Sequence, residues 1–104
     1  MPSSEAELIS IHRQIYLQRE HDPRDPRLIR PDVIDSIRKY VERRLPPGGF
    51  VQAVLSNDLQ DAVLRADGDN LLTIPAIVSY VYHEVPSNLW GSREAVNAWI
   101  DGAP

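Results

Sequence analysis

Apolar residues recur at helical spacing in five segments of this chain. The first segment is residues 4–20, where Ser4 and Glu7 have the spacing of a capping box that favours a helix start. Its apolar positions, three and four residues apart, are Leu8, Ile11 and Ile15. This spacing predicts an N-terminal helix over residues 4–20 with one apolar face.

The sequence HDPRDPR (21–27) interrupts that pattern. Each proline disfavours helical backbone for the aspartate before it. Residues 21–30 are therefore expected to form an extended, partly mobile linker with turns.

Two helical patterns follow the linker, joined by the sequence RRLPPGGF. The first starts at Pro31, which suits an opening helical turn, and stops at Pro46 and Pro47. Its predicted buried face consists of Val33, Ile34, Ile37, Tyr40, Val41 and Leu45. The second is predicted to run from about Phe50 to Ala66, with Gly68 in the left-handed region after its end. Its predicted buried stripe consists of Val51, Val54, Leu55, Leu59, Ala62 and Val63.

The segment LLTIPAIVSYVYHEVP (71–86) fits two secondary structures. Its β-branched and aromatic content, and the alternation in VSYVYHEV, are typical of a strand. Its apolar residues also recur at helical spacing, at Ile74, Ile77, Val78, Val81 and Val85. Because a lone strand would have no partner in this chain, we predict a helix.

A short last helix, capped by Ser92, completes the predicted fold. Ala95, Val96, Trp99 and Ile100 are expected to pack inward. The pattern predicts one all-α domain of four or five short helices, with its helical core over residues 31–101.

Size and charge narrow the classes of function. The chain has 104 residues, a length typical of one domain. Residues 1–45 carry nine Lys/Arg and eight Asp/Glu, whereas residues 46–104 carry two and seven. The acidic second half disfavours a nucleic-acid binder that uses its whole surface and is compatible with a basic protein partner.

Two further features bear on localisation. The longest nearly apolar run, residues 71–78, is far shorter than the roughly 20 residues of a membrane helix. The acidic, polar N-terminus does not resemble a signal peptide. We expect a cytoplasmic protein with no membrane association.

No set of residues in the sequence predicts catalysis. The chain has no cysteine, so thiolate nucleophiles and thiolate metal ligands are excluded. The sequence ADGDNLL lacks the ligands of a calcium loop, and HEVPS lacks the second histidine of a zinc-protease helix. Asp58 and Asp61 could pair as acid and base, but carboxylates at this spacing on an exposed helix are usually solvated. We predict no enzyme activity, cofactor or metal.

The glycines in RRLPPGGF allow two interpretations. Glycines before a helix, with Arg43 and Arg44 nearby, could bind an anion at the helix start. The Gly-Lys-Ser/Thr of a phosphate loop is missing, however, because Phe50 follows Gly49. We interpret Gly48, Gly49 and Phe50 as a structural corner, in which at least one glycine is expected to have a positive φ.

Two candidate contact regions remain in the sequence. The run RKYVERR supplies Arg38, Lys39, Arg43 and Arg44, which could contact nucleic-acid phosphates. Trp90 lies in a predicted turn, where it could be an exposed binding residue or, as we favour, a lid on the core.

The second half of the chain, about residues 31–104, carries a distinctive pattern. It consists of PPGGFVQAVLSNDLQDAV, an Ala-Asp pair, YVYHEVP and NLWGS. This pattern resembles that of a family of small proteins from bacteria, phages and prophages, in which an asparagine stands at the position of His83. The resemblance implies an origin in a phage or another mobile element and assigns no chemical roles. The residues it implies to belong to a shared architecture are Gly48, Gly49, Phe50, Asn57, Asp58 and Trp90.

These observations favour a non-catalytic accessory or regulatory protein that binds another protein, for example a host or defence protein that it inhibits. The alternative is a nucleic-acid-binding regulator that uses the basic end of the second predicted helix. The candidate binding residues are Arg38, Lys39, Arg43, Arg44, Asn57, Asp58 and Trp90. The predicted N-terminal helix could pack on the core or form a homo-oligomer contact, since its apolar face must be covered.

Overall fold

Helices form all of the regular secondary structure in the described part of the chain. The computed structural model describes residues 22–102. Their elements, in chain order, are a 3₁₀ helix at Pro26–Leu28, α1 at Pro31–Arg43, α2 at Gly49–Leu55, α3 at Leu59–Arg65, α4 at Gly68–Leu72, α5 at Ile74–Glu84, a second 3₁₀ helix at Ser87–Leu89 and α6 at Arg93–Ile100. The predicted all-α class is confirmed, and residues 22–102 contain no strand.

The described residues contain six α-helices, more than the four or five expected from the sequence. The helix predicted over residues 50–66 is divided into α2 and α3, and α4 is a one-turn helix that the pattern does not show. The helix predicted over residues 4–20 lies outside the described residues.

Residues 22–30 form successive turns rather than an extended linker. Arg24 donates both its backbone N–H and its guanidinium to Asp22, and Arg27 does the same to Asp25. The proline between each pair fixes the turn. Ile29 is buried and the 3₁₀ helix contacts α5, so this segment is part of the folded body.

Helix α1 follows its predicted pattern. Pro31 occupies the first turn, and the helix is followed by Arg44, which has a left-handed backbone with φ 56°. Its buried residues are Val33, Ile37 and Tyr40. Leu45 was predicted to be buried but is exposed, because it follows the left-handed residue and no longer lies on the helix face.

The break between α2 and α3 is a defined helix ending. Asn57 has a left-handed backbone with φ 59°. The N–H of Asp58 donates to the Ala53 carbonyl at 2.9 Å, and the N–H of Asn57 donates to the Val54 carbonyl at 3.1 Å. These are the two hydrogen bonds of a Schellman motif, which stops a helix and turns the chain.

Gly68 begins a helix instead of ending one. It is the first residue of α4, and Asp67 before it accepts a hydrogen bond from the Asn70 N–H at 2.8 Å. Arg30 pairs with the same carboxylate at 2.8 Å. The prediction of a left-handed Gly68 is wrong, because the Asp-Gly pair supplies a helix cap here.

The segment that fitted both helix and strand is helical. Helix α5 starts at Ile74, has Pro75 in its first turn and buries Ala76, Ile77 and Val81. Val78 was also predicted to be buried, but it lies at the edge of the buried side and is exposed. No helix among residues 22–102 is long and apolar enough to cross a membrane.

One hydrophobic cluster connects the described helices. Its members are Ile29, Val33, Ile37, Tyr40, Val51, Ala53, Val54, Leu55, Ala62, Ala76, Ile77, Val81, Val85, Leu89 and Val96. Among the fully buried side chains, Tyr40 is the largest.

Tyr40 forms two hydrogen bonds inside this cluster. Its phenol donates to the Leu89 carbonyl at 2.6 Å, and its own carbonyl accepts from the Trp99 indole N–H at 2.7 Å. Arg44 lies over the Trp99 ring at 3.8 Å. Helix α1 is thereby joined to the second 3₁₀ helix and to α6.

We predict that Tyr40→Phe destabilises the protein by about 1–3 kcal/mol, because the buried Leu89 carbonyl loses its donor. Tyr82→Phe is the matched control, since the Tyr82 side chain is largely exposed, and it should change stability by less than about 0.5 kcal/mol. Urea unfolding followed by circular dichroism measures both values. Equal losses in the two variants would contradict the role given to the Tyr40 phenol.

We also predict a pH dependence that belongs to Tyr40. Burial raises the pKa of its phenol to about 12, from 10.0 in the unfolded chain. The folded state holds this phenol proton more tightly than the unfolded chain does. The protonated phenol therefore contributes its full stabilisation of the fold below pH 10, and this contribution is lost as the pH rises through 12. The stability difference between the wild type and Tyr40→Phe should therefore narrow between pH 10 and 12. Parallel pH curves for the two proteins would contradict this prediction.

Candidate protein-binding surface

Helix α3 and the turn before it carry two of the predicted binding residues, Asn57 and Asp58. Asn57 is the left-handed residue that ends α2, so its backbone has a structural role. Asp58 caps α3 by accepting a hydrogen bond from the Asp61 N–H at 3.0 Å. The sequence placed both residues in the middle of a helix, whereas they form the junction between two helices.

Arg93 of α6 forms ion pairs with the junction between α2 and α3. Its guanidinium contacts Asp58 at 2.8 Å and Asp61 at 3.1 Å, and Arg65 contacts Asp61 at 2.9 Å. The hydrogen bond from the Asp61 backbone, and then the one from Arg93, hold the pKa of Asp58 below its usual range. This carboxylate therefore stays charged near neutral pH and is not suited to general-acid chemistry.

Large apolar side chains point outward from the same helix. Leu59 is 67% exposed, Leu64 is 74% exposed and Val63 is 41% exposed. Leu59 and Val63 were predicted to be buried, but Ala62 is the buried residue of α3. The turn at Asn57 changes the direction of the chain, so the stripe of α2 does not continue along α3.

We call this region the α3 surface and define it by Leu59, Val63, Leu64, Asp58 and Asp61. Part of it is a shallow, open depression lined by Asp58, Gln60, Asp61, Leu64 and Arg93. The surface combines exposed apolar side chains with carboxylates that are held in place by ion pairs.

The four basic residues of the second predicted helix do not form one patch. Lys39 pairs with Asp35 at 2.8 Å. Arg44 packs on Trp99 and donates to the Trp99 carbonyl at 3.3 Å. Among the described residues, Arg38 and Arg43 have no ion-pair partner, and these are the two cations available to a ligand.

Trp90 packs at the edge of the core and is half-buried. Its ring meets the Tyr82 ring edge-on at 6.1 Å, and its indole N–H is buried without an acceptor among the described residues. Gly91 follows with φ 107° and donates its N–H to the Leu55 carbonyl at 2.7 Å. Trp90 is therefore placed as a lid on the core would be, and not as an exposed binding residue would be.

The corner at Gly48, Gly49 and Phe50 is a simple helix start. Gly48 precedes α2 with φ −63°, Gly49 is its first helical residue, and Phe50 packs against the core. The expected positive φ at one of these glycines is wrong. The left-handed step that turns the chain falls earlier, at Arg44, so the glycines are not needed for it.

The described residues do not assemble a catalytic set around histidine. The imidazole Nδ1 of His83 lies 2.8 Å from the Ser79 carbonyl and 3.4 Å from the Ser79 hydroxyl. The shorter contact engages this nitrogen with the backbone of its own helix. Residues 22–102 also contain no group of three or more His, Cys, Asp or Glu side chains that could hold a metal ion.

Comparisons with known proteins add no family to these observations. No protein-family model matches the chain, and no curated protein or solved structure gives a significant match.

We predict that the Asn57 position depends on backbone conformation. Asn57→Ala should cost about 1 kcal/mol, because alanine is strained in the left-handed region, whereas Asn57→Gly should be neutral or stabilising. Thermal unfolding of the two variants measures the difference. If alanine and glycine have the same effect, the Schellman turn does not determine stability here.

Proposed function

We propose that this protein is a non-catalytic accessory or regulatory protein that acts by binding another protein through the α3 surface. Its origin in a phage or other mobile element, and its action in the cytoplasm on a host or defence protein, are part of the same proposal. The resemblance of its second half to small bacterial and phage proteins supports the origin.

The observation that carries the proposal is the exposure of Leu59 and Leu64 on one short helix. Scattered apolar residues on a surface are ordinary, but Leu59, Val63 and Leu64 are all exposed on one seven-residue helix, and Leu64 lines the same depression as Asp58 and Asp61. The backbone beneath them is fixed by the Asp58 cap and by Arg93. A preorganised apolar surface loses little conformational entropy on binding.

The charge distribution supports a basic protein as the partner. Residues 46–104 carry seven Asp/Glu and two Lys/Arg. In the described structure, Asp69 and Glu84 have no ion-pair partner. A basic protein with apolar side chains at the centre of its contact region complements this distribution.

The alternative function, a nucleic-acid-binding regulator, has less support. It requires a continuous basic surface, yet Lys39 is paired with Asp35 and Arg44 is engaged with Trp99. Two free arginines, Arg38 and Arg43, would supply few phosphate contacts, and affinity for nucleic acid depends strongly on their number.

We predict that a partner captured from host lysate, identified and purified, binds the intact protein at least tenfold more weakly when Leu59 and Leu64 are replaced. The variant is Leu59→Ser/Leu64→Ser, and titration calorimetry measures Kd. A tenfold loss corresponds to about 1.4 kcal/mol, which is modest for two central apolar contacts.

Leu45→Ser is the matched control, because Leu45 is also an exposed leucine but lies outside the α3 surface. It should leave Kd unchanged. Equal weakening by the control, or unchanged binding by the double variant, would contradict the proposal. A shift of DNA or RNA in a gel at low salt that is lost in Arg38→Ala/Arg43→Ala would favour the alternative function instead.

A further inference from the structure

A cleft between α1 and α5 lies apart from the α3 surface and shares no residue with it. Residues from the last two turns of α1 line one side, and residues at the end of α5 line the other. The lining residues are Ile37, Arg38, Val41 and Glu42 from the first side and Tyr80, Glu84 and Val85 from the second. We call this region the α1–α5 cleft.

The inner part of the cleft is apolar. Ile37 and Val85 belong to the buried core, and Val41 and Tyr80 are partly buried against it. The volume of the cleft is about 160 Å³. A cavity of about 150 Å³ holds one benzene molecule, whereas sites for drug-sized and cofactor-sized ligands measure about 300–1,000 Å³. The cleft therefore has the size to take one side chain of a partner and is too small for a cofactor.

The rim of the cleft is charged. Glu42 on α1 and Glu84 on α5 are both exposed, and Arg38 is exposed one helical turn before Glu42. In the described part of the chain, none of these three side chains has an ion-pair partner. Two carboxylates and one guanidinium leave an uncompensated negative charge at the rim.

The ends of two helices add to this preference for a cation. Helix α1 ends at Arg43 and α5 ends at Glu84, so the last turns of both helices border the cleft. The C-terminal end of a helix carries a partial negative charge from its carbonyl groups, which favours a cation nearby. The cleft thus combines an apolar interior with two separate sources of negative charge.

We propose that the α1–α5 cleft binds an arginine side chain of a basic protein partner. The guanidinium lies between Glu42 and Glu84, and its methylene groups pack on Val41 and Val85. Arginine suits this place better than lysine, because its planar guanidinium pairs with a carboxylate through two N–H groups and stacks on an aromatic ring such as that of Tyr80. This inference rests on the proposed function for the basic partner and adds a contact separate from the α3 surface.

An NMR titration of the intact protein with a blocked arginine, Nα-acetyl-arginine methylamide, tests the cleft without a partner. We expect saturable shifts of the backbone amides in residues 37–42 and 80–85, with a Kd of about 1–10 mM, because the compound makes few contacts. The matched compound is blocked citrulline, which has nearly the same shape but a neutral urea group. It should bind at least fivefold more weakly, since it forms no ion pair. An equal Kd for the two compounds, or no saturable shifts at the cleft, would overturn the proposal.

The variant Glu42→Gln/Glu84→Gln should bind blocked arginine at least fivefold more weakly than the wild type, because both carboxylates are lost. Asp69→Asn/Glu94→Gln is the matched control. It also removes two exposed carboxylates that have no ion-pair partner among residues 22–102, but neither lines the cleft. The control should leave Kd unchanged at constant ionic strength. Amide shifts in α2 should be the same in all three proteins, which shows that the fold is retained. Equal effects of the two variants on Kd would overturn the proposal.

Two further titrations distinguish other occupants of the cleft. Arg38→Gln should bind blocked arginine at least as tightly as the wild type, because it removes a like charge from the rim. Weaker binding would overturn the role given to the two carboxylates. Free arginine, whose own carboxylate could pair with Arg38, should bind within about threefold of the blocked compound. Tighter binding than that would identify a site for a free amino acid and overturn the assignment to a protein partner.

None of these titrations involves the α3 surface or a captured partner. A failure of the cleft to bind arginine therefore leaves the effect of Leu59→Ser/Leu64→Ser on partner binding as it is. A failure of that variant to weaken partner binding likewise leaves the arginine titration as it is. The two failures are thus distinguishable.

Discussion

The buried residue Tyr40 holds the last part of the described chain against its first helix. Its phenol binds the Leu89 carbonyl and its carbonyl binds the Trp99 indole. Both bonds lie in an apolar cluster, where hydrogen bonds are electrostatically stronger than in water and unpaired polar groups are costly. With the burial of Leu89 and Val96 in the same cluster and the packing of Arg44 on Trp99, these two bonds hold the second 3₁₀ helix and α6 against α1.

The effect of Tyr40 extends to the α3 surface. Once Leu89 is fixed, the chain passes through Trp90 to Gly91, whose N–H binds the Leu55 carbonyl at the end of α2. Arg93 then begins α6 close enough to contact Asp58 and Asp61. Successive contacts of residues 89–93 thus connect α1, through Leu55 at the end of α2, with the ion pairs of α3.

The sequence predicted α1, α5 and the Ser92-capped α6 well, but it missed α4 and the division between α2 and α3. Helices α1 and α5 contain several turns, so their apolar periodicity is evident, and prolines mark their starts. The boundary between α2 and α3 was missed because apolar spacing continues across Asn57. A signal was present nonetheless: Asn57 can adopt a left-handed backbone, and Asp58 is a favourable cap three residues before Asp61.

Only some residues of the candidate surface could be recognised in the sequence, and the reason differs from residue to residue. Asn57 and Asp58 do lie beside the exposed α3 surface, although their backbone roles followed from geometry that a sequence does not reveal. The basic residues of RKYVERR do not form one continuous basic surface, because Arg44 packs on Trp99 and Lys39 pairs with Asp35. Leu59 could not be identified as exposed from periodicity, since its exposure depends on the turn at Asn57.

Helices α3 and α4 bury few side chains of their own, and contacts at their ends help to hold them in place. Each buries a single residue, Ala62 in α3 and Asn70 in α4. Helices of seven and five residues are unstable alone, so packing of α3 on α2 and of α4 on α5 must hold them, together with side-chain caps and ion pairs. Asp58 with Arg93 does this for α3, and Asp67 with Arg30 does it for α4. Because other contacts hold both helices in place, Leu59, Leu64 and Leu72 are not needed for the core and are exposed.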